Sequence, residues 1–135
     1  MNNREPLHRT GPLHVLVFGG RDHYGSRQER DAVREWLRAA KPALVIHGGA
    51  NGADRWMSDV AAELGLETMA FEADWKKYGK RAGPIRNKAM AKFLSDKRAI
   101  GLMAPGGRGT DHMKDCCEHH QIPVLALYNV VKAHA

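Results

Sequence analysis

Five short apolar runs punctuate the chain, and between them apolar residues return at helical spacing. LHVLVF, from Leu13 to Phe18, is nearly continuous and rich in branched side chains, as expected of a strand covered on both faces. ALVIHGG (Ala43–Gly49), LETMAF (Leu66–Phe71), RAIGLMA (Arg98–Ala104) and IPVLALY (Ile122–Tyr128) read as four further strands. Ser26 to Ala40 places Val33, Trp36, Leu37 and Ala40 on one helical face, and the segment after Asp54 does the same with Trp56, Val60, Ala61 and Leu64 before Gly65 closes it. A third helix opens at Pro84 and turns Ile85, Ala89, Met90, Phe93 and Leu94 inward, and DHMKDCCEHH forms a fourth. Residues 1–12 show no period and read as a loose arm, 72–84 as a long irregular stretch, and 129–135 as a short tail. Five strands alternating with four helices predict one α/β domain over residues 13–128, an open parallel sheet with helices on both faces.

Three of these strands end in glycine. The first runs into Gly19, Gly20 and Arg21, the second into Gly48 and Gly49 with Gly52 and Asp54 just beyond, and the fourth into PGGRGT with Gly106, Gly107, Arg108, Gly109 and Thr110. Parallel sheets bind ligands beyond the carboxyl ends of their strands, so the three turns are placed to line one crevice. The PGGRGT glycines are expected to take positive φ and bring N–H groups to an anion, with Thr110 and Asp111 capping the helix that follows. Arg21 suits a phosphate or carboxylate, and Arg86 and Asn87, at a helix amino end, reach the same crevice. Asp54 has two readings: an acid that complements its helix dipole, or a group that accepts from a sugar hydroxyl or moves a proton. Trp75 and Tyr78 either stack on a base or cover the edge of the core.

Composition narrows the partners. The 135 residues carry 21 Lys and Arg against 15 Asp and Glu, a net charge of +6 that favours phosphate-bearing ligands without singling out nucleic acid. The arginines of the first helix are interleaved with Glu29, Asp31 and Glu35, which favours ion pairing within the helix over contact with a nucleic-acid backbone. Cys116 and Cys117 are adjacent and cannot pair with each other, so a reducing cytoplasm is expected, with both thiols as small buried side chains. His112, Cys116 and His119 or His120 share helical spacing, yet nothing elsewhere completes a ligand set and no metal is expected. No apolar run reaches the ~20 residues that cross a bilayer, so no membrane partner is expected.

The motifs FGGRD, HGGANGADR, ADWKKYGKRAGPIRN with KAM, and PGGRGTDHM together resemble the YspA-like branch of the SLOG superfamily, the Rossmann-like group named after Smf/DprA and the Lonely Guy phosphoribohydrolases. The resemblance spans Leu13 to about Leu127. It implies a Rossmann-like sheet, a pocket for a nucleotide or nucleotide derivative, and a homodimer. In the Lonely Guy relatives a PGGxGTxxE motif holds phosphate and supplies a catalytic glutamate that works with an arginine. Gly106, Gly107, Gly109 and Thr110 match that turn and Arg86 matches the arginine, whereas the glutamate position is Met113, whose thioether moves no proton.

The leading expectation is therefore binding of a nucleotide-like small molecule, with cleavage of its N-glycosidic bond as the reaction such a site would perform. Arg86, with Asp54 or Asp111 as the carboxylate, would carry that chemistry without a cofactor. The alternatives are a non-enzymatic sensor of a nucleotide signal and a single-stranded nucleic-acid binder.

Overall fold

A computed structural model describes residues 9–135. Its core is a five-stranded sheet in the order β3-β2-β1-β4-β5, with every neighbouring pair parallel. The strands are β1 (Leu13–Phe18), β2 (Leu44–His47), β3 (Thr68–Ala70), β4 (Arg98–Met103) and β5 (Val124–Ala126). β1 is central and pairs with β4 along its whole length, Leu13 opposite Arg98 through Phe18 opposite Met103. Val15, Leu16, Val17, Val45, Ile46 and Leu102 are fully buried, as strands covered on both faces require.

Two apolar layers cover the sheet. On one side Val15, Val17 and Val45 meet α1 (Arg27–Ala40), α2 (Ala53–Glu63) and α6 (Leu127–His134) through Val33, Leu37, Trp56, Met57, Val60 and Val130. On the other Leu16, Phe18 and Ile46 meet α4 (Ala82–Leu94) and α5 (Arg108–His119) through Met90, Leu94, Met113 and Cys117. Burial pushes the Cys117 thiol up to about 12, in keeping with a packing role. Ser26 caps α1: its hydroxyl accepts from the Glu29 N–H while the Glu29 carboxylate accepts from the Ser26 N–H, so both ends of a capping box close.

The parallel α/β sheet matches the sequence reading, and four local features differ from it. The stretch 72–84 is ordered as the short α3 (Trp75–Tyr78), a 3-10 turn (Gly79–Arg81) and the start of α4. Asp74 begins this run by accepting from the Lys77 N–H at 3.1 Å. β5 ends at Ala126, and Leu127 opens α6, so the segment read as strand and tail is a helix that buries Leu127 and Val130. Helix α5 starts at Arg108 with Gly107 as its N-cap, which puts Thr110 and Asp111 inside the first turn. Gly106, Gly107 and Gly109 have no positive φ. Of the expected N-terminal arm, Arg4 and His8 lie outside the described residues, and Arg9 donates to the His120 carbonyl at 2.6 Å. No described helix is long and apolar enough to cross a membrane.

Candidate functional site

The three glycine turns meet where the carboxyl ends of β1, β2 and β4 converge, and they pack on each other through backbone. Gly20 N–H donates to the Pro105 carbonyl at 2.9 Å, and Ala53 N–H donates to the Gly20 carbonyl at 3.1 Å. Gly52 has φ +75, and a Cβ there would strike the carbonyl oxygens of Gly20 and Arg21. A Cβ on Gly106 would strike the Thr110 hydroxyl, and one on Gly19 would sit 2.7 Å from the Cβ atoms of Ala104 and Ala53. These glycines are therefore required for turn-on-turn packing. Gly107 and Gly109 differ, since a Cβ on either meets nothing within 4 Å.

A crevice of about 580 Å³ opens above the turns. It is lined by Gly19, Gly20, Arg21, Asp54, Trp75, Pro84, Arg86, Asn87, Gly107, Arg108, Gly109 and Thr110, with the core residues Phe18, Met90 and Met113 packed behind its wall. A second lobe of about 230 Å³ adjoins it and shares Arg21, Ala50, Trp75 and Arg86; Gly48, Gly49, Asn51 and Glu72 complete it. The Arg21 guanidinium lies 5.4 Å from the centre of the Trp75 ring, a cation–π contact between two residues that belong to both lobes. Gly52, Gly106 and Asp111 line neither lobe, and the Asp111 side chain is exposed on α5.

Arg86 joins the second turn to α4 at the crevice. Its Nη1 donates to the Gly48 carbonyl at 2.6 Å and its Nε to Asn87 Oδ1 at 2.9 Å. Burial lowers its pKa, the Asp54 carboxylate opposes that shift, and the Arg21 charge adds to it. Two guanidiniums thus stand close enough to repel, and among the described residues neither makes an ion pair with a carboxylate. Helix α5 adds to this positive field: Gly107 brings no capping side chain, so the first N–H groups of the helix are left open beside the crevice.

Asp54 lies beneath them. It is only 5% exposed and accepts from the Gly48 N–H at 2.8 Å, so it holds the second turn in place as well as facing the crevice. Burial raises its pKa above the usual carboxylate range, against the lowering effects of the Gly48 N–H and the Arg86 charge. A proton held more tightly in the folded state stabilises the fold at acid pH, and that contribution is lost as pH rises through the raised pKa. Asp54→Asn keeps an acceptor for Gly48 and removes the titration. Melting temperatures followed from about pH 4 to pH 7 are expected to show the variant's value minus the wild type's becoming more positive as pH rises; a difference that stays constant or becomes more negative contradicts the assignment.

Two crevice residues escaped the sequence reading as ligand contacts. His112 was weighed there only as a metal ligand, yet it lines the crevice with Nδ1 3.2 Å from Asn87 Nδ2. With α5 starting at Arg108, the spacing of Gly109, His112, Met113 and Cys116 puts them on one face, a signal hidden by an assumed later start. Glu72 borders the second lobe against Gly49, where a Cβ would approach its carboxylate to 3.0 Å. Among the described residues no group of His, Cys, Asp and Glu is arranged to hold a metal ion.

Residues 13–78 match the model of the YspA, cpYpsA-related SLOG family. The chain is 34% identical over 119 residues to the Gene 61 protein of Mycobacterium phage D29, an alignment covering 82% of this chain and 93% of that protein. Among solved structures it resembles DNA processing protein A (DprA) from Streptococcus pneumoniae, with TM-score 0.50 and 17% identity over 95% of this chain and 62% of DprA. Glycinamide ribonucleotide transformylase 1 from Symbiobacterium toebii aligns with TM-score 0.42 and 18% identity over 72% of this chain and 42% of that one. The chain spans less than two thirds of either solved structure, and at these identities the likeness to DprA is one of fold.

Proposed function

Because the chain belongs to the YspA, cpYpsA-related SLOG family, we propose that its crevice binds a nucleotide or nucleotide derivative, with the phosphate held between Arg21, Arg86 and the amino end of α5. The observation that carries this reading is the pair of crevice guanidiniums without an ion-paired carboxylate. Asp54 and Glu72 act on Arg86 without pairing with it, and a phosphate between the two guanidiniums adds negative charge and accepts their remaining N–H groups. The open amino end of α5 adds further donors and a favourable dipole. The half-exposed Trp75 and the exposed Pro84 offer aromatic and apolar surface to a base.

Cleavage of the N-glycosidic bond is the reaction this site would support, with Asp54 as the buried carboxylate near the ligand and Arg86 as its neighbouring charge. A sensor would bind the same ligand and leave it intact. Chromatography of nucleoside monophosphates incubated with the protein separates the two: free base marks the hydrolase, and unchanged ligand marks the sensor.

Gly109→Ala tests the ligand's position. Gly109 is the second residue of α5 and its Cβ would point into open space, so alanine is expected to stabilise the fold by about 0.5–1 kcal/mol through helix propensity. The same methyl intrudes where the phosphate approaches, and the rise in melting temperature caused by AMP is expected to shrink. A variant that gains stability and keeps the full AMP shift would place the ligand elsewhere.

A further inference from the structure

We propose that Arg86, Asn87 and His112 form a hydrogen-bond chain that fixes His112 as its neutral Nε2–H tautomer and presents that N–H to an acceptor on the ligand's base, a ring nitrogen or a carbonyl oxygen. This rests on the nucleotide reading of the crevice and names the part of the ligand that His112 recognises.

The chain's direction follows from which atoms can only donate. A guanidinium has no acceptor, so the Asn87 atom 2.9 Å from Arg86 Nε must be the amide oxygen. The other end of the amide is then Nδ2, which only donates; it lies 3.2 Å from His112 Nδ1 and 3.4 Å from the Gly109 carbonyl. Each of its two hydrogens has an acceptor, and His112 Nδ1 must offer a lone pair. The ring proton is therefore on Nε2. Asn87 is 5% exposed, so water does not offer its amide an easy alternative.

The chain also sharpens the donor. A permanently charged guanidinium polarises the amide, the amide polarises the imidazole, and each link strengthens the next in a low-dielectric setting. Cys116 Sγ lies 3.7 Å from Nε2 and 3.9 Å from Nδ1, so it is directed at neither nitrogen, and as a weak acceptor it is outcompeted for the Nε2 proton by a nitrogen or oxygen on a ligand. His112 lines the same crevice as the half-exposed Trp75 and the exposed Pro84, so a ring held against that surface has a directional donor within the crevice. A ribose hydroxyl or a phosphate oxygen would accept from the same N–H, and the ribose 5-phosphate titration below separates that outcome from recognition of the base.

Two measurements test this. The first uses the ligand-free protein: a long-range nitrogen–proton correlation spectrum of uniformly labelled wild type is expected to show His112 protonated on Nε2 alone. Asn87→Asp, whose carboxylate accepts, is expected to move the proton to Nδ1. A protonated Nδ1 in the wild type overturns the chain. The second titrates AMP and ribose 5-phosphate into wild type and His112→Ala by calorimetry. AMP affinity is expected to fall about tenfold in the variant while ribose 5-phosphate stays within about twofold, the effect of one lost hydrogen bond to the base. Equal losses for both probes, or none for AMP, overturn the assignment to the base. Failure of both probes to bind wild type would sink the nucleotide reading, whereas the spectrum judges the chain independently.

Discussion

Gly52→Ala is expected to destabilise the protein by about 3 kcal/mol or more, the largest effect of any single methyl added to the glycine turns. Two costs combine. With φ +75 and ψ −127, alanine is held in backbone space open essentially to glycine alone, at about 1–3 kcal/mol, and its Cβ is driven into the Gly20 and Arg21 carbonyl oxygens. Those oxygens belong to backbone, and the Gly20 carbonyl already accepts from Ala53 N–H at 3.1 Å, so neither can swing aside as a flexible side chain would. The first and second turns must separate, which breaks that bond and shifts Arg21. Gly79→Ala is the matched control: its φ +58 and ψ −134 lie in the same region, but a Cβ meets nothing within 4 Å, so only the backbone strain of about 1–3 kcal/mol should appear. Urea denaturation of the two variants checks this, and equal losses would refute the account of the turns as mutually packed.

Arg86→Gln is expected to weaken AMP binding by about 10- to 100-fold, the worth of a lost charge-assisted contact. The residue does three things at once. It ties α4 to the second turn through the Gly48 carbonyl, orients Asn87, and faces Arg21 across the crevice. Its removal also leaves Asp54 buried without the nearby charge that favours its ionised form, so stability falls too. The double variant Asp54→Asn with Arg86→Gln separates these roles. Neutralising the carboxylate is expected to recover part of the stability and none of the AMP affinity, as measured by urea denaturation and calorimetry. Recovery of binding in the double variant would show that Arg86 serves Asp54 and not the ligand.

The sheet was legible because burial on two faces demands continuous apolar runs, and Leu13–Phe18 and Arg98–Met103 have few alternatives. The ends of elements were less legible. IPVLALYNVV is apolar but for Asn129, which lies three residues past the strand, so nothing local marks Ala126 as the last strand residue; the helical spacing of Leu127, Val130 and Val131 becomes decisive only once α6 has a face to pack on. Helix α5 misled in the opposite way. Thr110 and Asp111 are good capping types, yet the close contact of Gly106 with Thr110 belongs to a helix that begins at Arg108, and a glycine cap has no side chain to announce it.

The site divides along the same line. The sequence points Arg21, Arg86 and Asn87 at the crevice by their positions at strand and helix ends, whereas Trp75 falls in the irregular stretch with base stacking and core covering both open; in the structure all four side chains line the crevice. The glycines carried a mixed signal: the same residue type marks Gly52 and Gly106, needed where backbones touch, and Gly107 and Gly109, which face open space. Sequence shows the glycine and hides which neighbour requires it. Asp111 stands two residues beyond Gly109, but the helix turns its side chain out to solvent, while His112 beside it lines the crevice.

The central claim is that paired arginines make this crevice a phosphate site. Parallel calorimetric titrations of AMP and adenosine into the wild-type protein at low salt test it most directly, because the two probes differ only in the phosphate. The account predicts saturable AMP binding at one site per chain, at least about tenfold tighter than adenosine, with the difference shrinking as salt is raised. Adenosine binding as tightly as AMP, or no AMP binding at all, would contradict it.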